Sequence, residues 1–166
     1  MTRSAETLSL PGGVNLQIPF LSVLTPGPAP SLQYFPHVSR EKLRYGDTDR
    51  QGHVNNAVFV TFLESGRVEL LLNAGVDLCG PDGAFVLARL VLDYRKEMNW
   101  PGEVEIGTTV MSVGRSSARM AQALFQHDEC VATAEAIVVL TDTATRRSKP
   151  FSDEARAFLQ SMCPPA

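Results

Sequence analysis

Between Asn56 and Gly75 the apolar positions recur in steps of three and four, placing Val58, Phe59, Phe62, Leu63, Leu70 and Leu71 on one broad face. That period predicts a helix over residues 57–75. Asn55 or Asn56 would be its N-cap, and Gly75 suits the left-handed position that follows a helix end. So wide an apolar face belongs inside a fold. Glu64 and Arg67, three apart on this helix, are spaced to pair. Elsewhere the period changes. Residues 39–46 read as a strand stopped by Gly46. Residues 85–98, 104–114, 117–126 and 130–142 are rich in Val, Ile, Thr and Phe and joined by short links, so an antiparallel meander is expected. Ser152, followed by Asp153 and Glu154, caps a short final helix reaching Gln160. The order of strand, long buried helix and several long strands gives an α+β class, with a curved antiparallel sheet wrapped around the helix.

The amino-terminal stretch breaks this patterning. Residues 7–39 hold no Asp, Glu, Lys or Arg, yet contain six prolines. Two readings stay open: a disordered tail, or an arm that packs on the body or on a partner subunit. The chain is therefore divided into an extension, 1–38, and a single domain, 39–166.

Composition narrows the functional classes. A chain of 166 residues with 44% apolar and 20% charged residues can bury one real core. A net charge of −3 argues against a nucleic-acid binder, which needs a basic face. Three cysteines without a C-x-x-C spacing argue against a disulfide framework or zinc knuckle and favour a reducing cytoplasm. No apolar run approaches the ~20 residues of a membrane helix, and the amino terminus lacks a signal-peptide pattern. A soluble cytoplasmic protein is expected.

The densest polar chemistry stands directly before the buried helix, in "RYGDTDRQGHVNNAVFVTFLESGR", Arg44 to Arg67. Asp47-x-Asp49-x-Gln51-Gly52 resembles the start of a calcium loop, but the twelfth position is Val58 where a bidentate Glu is needed. Asp47, Asp49 and His53 could ligate a transition metal, yet no further His lies near in sequence to complete the set. Asp47 is read as a loop residue bonding local amides, and His53 as one that orients the loop. Asp49 has a sharper reading. It lies a few residues before a helix whose first N–H groups lack internal partners and carry the positive end of the dipole. A carboxylate facing such donors suits acyl transfer: the amides hold a developing oxyanion while the carboxylate attacks or activates water.

The D-x-D-x-x-G-H-V-N-N string, followed by an aromatic-rich helix carrying E-S-G-R, resembles the hotdog-fold acyl-CoA thioesterases of the 4-hydroxybenzoyl-CoA thioesterase group, with its YbgC-like and FadM-like branches. The likeness runs from about Ser39 to Asp142. It implies hydrolysis of an acyl-CoA to free acid and CoA without a metal or redox cofactor. Asp49 would be nucleophile or general base, and the backbone amide of Asn56 would polarise the carbonyl. His53, Val54 and Asn55 would shape the acyl and water side of the pocket. Glu64 is an alternative acid, since related enzymes use a helical carboxylate. The resemblance also implies a homodimer or a dimer-of-dimers tetramer. CoA phosphates call for cations; Arg115, Ser117 and Arg119 alternate onto one strand face, and Arg146, Arg147 and Lys149 cluster after the last strand. Two rivals remain: a noncatalytic acyl-CoA-binding or assembly module, and an enoyl-thioester hydratase. The latter is disfavoured by the absence of a D-x-N-P-x-H arrangement.

Overall fold

The computed structural model describes residues 29–164. Five strands form one antiparallel sheet: β1 (His37–Lys42), β2 (Gly83–Tyr94), β3 (Glu103–Val113), β4 (Ser117–Gln126) and β5 (Glu129–Asp142). Their spatial order is β1-β3-β4-β5-β2, and two helices, α1 (Asn56–Leu72) and α2 (Asp153–Ser161), complete the domain. Among the described residues no helix is long and apolar enough to cross a membrane.

The expected meander holds for β3, β4 and β5 and fails for β2. That strand pairs with β5 at the far edge, not with β3. The reason lies in the link of residues 95–102, which crosses beneath the strand ends. The amides of Arg95 and Lys96 bond Val131 O at the start of β5, Asn99 is bonded at both its N–H and its C=O by the Gln126 side chain, and Leu43 N meets Gly102 O. A link anchored to successive strand ends carries the chain across the sheet before β3 begins.

Helix α1 packs against one face of the sheet. Phe59, Phe62 and Leu63 pack with Val104, Ile106 and Leu124 from the sheet and with Ala132 and Ala134 from β5. Small β5 residues and Gly66 let helix and sheet approach: a Cβ at Gly66 would lie 2.4 Å from Ile106 Cγ2. The N-cap is Asn55, whose Oδ1 accepts from Ala57 N at 3.0 Å. The helix ends at Leu72 with Asn73 as C-cap, so Gly75, at φ +71°, turns the chain two residues beyond the cap. Ser152 caps α2 through its Oγ, as its sequence implies.

The expected Glu64–Arg67 pair does not form. Arg67 turns inward, is 4% exposed, and donates to Gln122 Oε1 at 2.8 Å. Gln122 Nε2 in turn donates to Leu63 O at 2.9 Å and Thr108 Oγ1 at 3.0 Å, tying helix to sheet. Burial pushes the Arg67 guanidinium below its ordinary pKa, partly opposed by the charge of exposed Glu64.

The first strand, β1, starts at His37, two residues before the 39 at which the sequence reading opens its domain. Phe35 is buried against the outer sheet face, its ring edge-on to Phe125 at 5.9 Å, and it fills the space where a side chain at Gly107 would stand. Phe35 thus packs on the sheet just ahead of β1. The arm or tail of residues 7–28 lies outside the described residues.

Candidate active site at the start of the central helix

The loop before α1 is a small ladder. Thr48 pairs with Val54, His53 pairs with Asn99, and Val54 N bonds Met98 O at 2.8 Å. Asp49 closes its tip: its N–H donates to His53 O at 2.8 Å, and its Oδ1 accepts from Gln51 N at 2.7 Å and His53 N at 3.3 Å. Gly52, at φ +89°, supplies the left-handed turn that a side chain would resist. One carboxylate oxygen of Asp49 is thus anchored, and Oδ2 has no protein partner among the described residues.

Asp47 is taken up by structure, as its turn chemistry suggests. Its Oδ2 accepts from Arg44 N at 2.8 Å and Arg44 Nε at 3.3 Å, and its carbonyl receives Asn55 N. With Asp47 turned away, the Asp47–Asp49–His53 ligand set does not assemble. No other cluster of three His, Cys, Asp or Glu gathers among the described residues.

Asp49, His53, Val54 and Asn56 line one open cavity of about 380 Å³. Phe59 and Tyr94 form its apolar side, and Gln51 and Arg95–Glu97 its polar rim. The Asn56 N–H, first of α1, meets no acceptor among the described residues, so the dipole end and a free carboxylate oxygen share this space. Two anchors hold that helix end: the Asn55 cap, and Tyr94 Oη, which donates to Asn56 O at 3.0 Å while its ring meets Phe59 edge-on at 5.2 Å. His53 Nε2 stands 3.2 Å from Glu97 Oε2 at the rim.

Not every residue singled out from sequence enters this cavity. Asn55 caps the helix and is not part of the lining; Val54 belongs both to the lining and to the buried core. Glu64 is exposed and does not line the cavity. Ser117 and Arg119 lie at the start of β4 and Arg115 just before it, whereas the loop meets the strand's end through Gln126 and Asn99; nine steps at ~3.3 Å from Ser117 to Gln126 separate the two ends by roughly 30 Å. Arg119 is further committed to Glu135, a buried carboxylate that also takes Arg89. Lys149 donates to Pro81 O at the same far end. Tyr94 and Glu97 were missed because the strand's end and the link after it show no motif; only pairing across the fold brings them to the loop.

Residues 43–159 match the thioesterase-like superfamily. The 1,4-dihydroxy-2-naphthoyl-CoA hydrolase of Synechococcus elongatus is 25% identical over 123 residues, spanning 71% of this chain and 90% of that one. A thioesterase from Thermus thermophilus, solved with coenzyme A and zinc, is 30% identical with a TM-score of 0.68, covering 78% of this chain and 96% of its own. A protein from Pseudomonas aeruginosa strain PAO1 superposes with a TM-score of 0.76 at 25% identity, covering 84% and 99%. The chain belongs to the thioesterase-like superfamily and is a hotdog-fold thioesterase.

Proposed function

We propose that this protein hydrolyses an acyl-CoA thioester with Asp49 as its catalytic carboxylate and the Asn56 amide as its oxyanion donor. One observation carries the reading: a partly free carboxylate and an unpartnered helix-start N–H line the same cavity. The thioester carbonyl oxygen would point at Asn56 N–H. Asp49 would take a proton from water as hydroxide adds to the carbonyl carbon, and the tetrahedral oxyanion would collapse with loss of the CoA thiolate. Direct attack by Asp49 Oδ2 uses the same geometry and gives a mixed anhydride that water then cleaves. A thiolate is a good leaving group near neutral pH, so departure needs no dedicated acid.

The assembly belongs to the same proposal. The cavity is open in a single chain, and β2 is a 12-residue edge whose Val86 and Leu87 are 42% and 47% exposed. An uncovered edge of that length invites another strand. A second copy pairing there antiparallel would set the Gly83 end of its β2 beside Tyr94 and narrow the cavity mouth.

The test is thiol release from short, long and aromatic acyl-CoAs. Turnover of at least one ester is expected. Binding without thiol release would favour the noncatalytic module, and loss of crotonyl-CoA enoyl absorbance without thiol release would favour hydration.

A further inference from the structure

We infer that the exposed rings of Tyr45 and Trp100, with the cation of Arg50, seat the adenine nucleotide end of the CoA substrate. The inference rests on the acyl-CoA reading above and adds to it a place for the part of the substrate that does not react. A pantetheine arm separates thioester from nucleotide, so the two ends need two sites. The cavity beside Asp49 serves only the first.

Three observations converge on one surface. Tyr45 opens the turn leading into the loop, and Trp100 follows Asn99 in the crossing link. Their rings meet edge-on, with centroids 5.4 Å apart and planes at 79°. Even so, Tyr45 is 75% and Trp100 44% exposed, so each leaves much of its surface in water. An aromatic pair that braces itself yet stays uncovered is a stacking platform for a flat base.

The platform is next to the reaction site. His53 pairs antiparallel with Asn99, and one further step in that register sets Trp100 beside Gly52, at the loop tip. Gln51, on the same tip, lines the cavity. A substrate arm leaving Asp49 over Gln51 therefore arrives at Trp100.

Charge points the same way. Arg44 is paired with Asp47, and Lys96 with Glu129. Arg50 is exposed on the tip and forms no ion pair among the described residues. A planar guanidinium on the loop tip that Trp100 adjoins matches a nucleotide that carries phosphates on its ribose. No cation of the Arg115 group can do this within one chain, since it stands at the opposite end of β4.

The test compares one acyl group carried on CoA and on pantetheine, using the full-length protein and the variants Tyr45→Ala, Trp100→Ala, Trp100→Phe and Arg50→Ala. Loss of one stacked ring should raise KM for the acyl-CoA about tenfold, with kcat at saturation kept. Trp100→Phe should retain most of the affinity, and the acyl-pantetheine reaction, which does not reach the platform, should keep its KM. Trp100 is the chain's single tryptophan. Adenosine 3′,5′-bisphosphate should therefore quench the intrinsic emission of the wild type, and Tyr45→Ala or Arg50→Ala should weaken that titration. Equal KM changes on both esters would overturn the inference, since the loop itself would then have been disturbed. Unchanged KM on acyl-CoA would also overturn it, as would a change of oligomeric state on gel filtration. If neither ester is turned over, the proposed reaction fails; quenching by the bisphosphate would still uphold a nucleotide seat, and its absence would remove that too.

Discussion

Replacing Gly66 by Ala weighs two opposed effects on the helix whose first N–H is the proposed oxyanion donor. Alanine in a helix interior gains about 1 kcal/mol over glycine. The new methyl, however, would lie 2.4 Å from Ile106 Cγ2, 3.3 Å from Ile106 Cβ and 3.2 Å from Thr108 Oγ1. Ile106 is fully buried and β-branched, so it has no free rotamer to turn aside. Relief needs α1 to move outward by about an ångström, and overpacking of this kind costs ~1–3 kcal/mol. The clash is severe enough to sit at the upper end, leaving a net loss of about 1–2 kcal/mol after the propensity gain. For a domain of this size that lowers Tm by a few degrees, at ~2–4 °C per kcal/mol. The same outward shift misplaces Asn56 N–H, and kcat/KM should fall by about tenfold or more even well below Tm. Thermal unfolding by circular dichroism and thiol release at 20 °C read the two effects separately. A Gly66→Ala protein as stable as wild type and fully active would refute the close approach of helix and sheet.

Other outcomes follow from individual contacts. Asn55→Ala removes the Oδ1 bond to Ala57 N and should cost about 1 kcal/mol in urea unfolding, with thiol release reduced because the same helix end holds Asn56. Glu64→Ala should change stability by less than ~0.5 kcal/mol, whereas Gln122→Leu should cost about 2 kcal/mol or more, because it leaves buried Arg67 without its acceptor. The reverse ranking would restore Glu64 as the partner of Arg67. Arg115→Ala should leave KM for acyl-CoA unchanged, since Arg115 lies beyond the far end of β4 from the loop. A raised KM would instead put a second copy's β4 at the mouth of the site.

The elements of this fold are legible in the sequence wherever one segment carries its own pattern. The apolar period of residues 57–75, the Asn55 cap and the Ser152 cap act within a few residues; the helix recurs with its ends shifted by one and three positions, and Asn55 and Ser152 cap their helices. Asp47 was readable as a loop residue for the same reason, because its partners are Arg44 and Asn55. What failed was set by distant pairing. Arg67 has Glu64 three residues away, but the burial of its helix face offers it Gln122, 55 positions on, and nothing local announces that choice. Arg119 alternates correctly on its strand, yet Glu135 from the neighbouring strand takes it. The placing of β2 beside β5 follows from where the 95–102 link anchors, and the same link brings Tyr94, Glu97 and Trp100 to the loop. In the candidate site Asp49 and His53 come from a motif, and Tyr94 and Glu97 from topology.

Asp49→Asn, run beside wild type on an acyl-CoA that the wild type turns over, tests the catalytic role proposed for Asp49. The substitution keeps the shape of the side chain and an oxygen to accept from Gln51 N and His53 N, while removing the basic, nucleophilic charge. Unchanged ester binding is expected, with thiol release reduced by about a hundredfold or more. Full turnover by Asp49→Asn would contradict it, because the reaction would then draw on another group in the cavity.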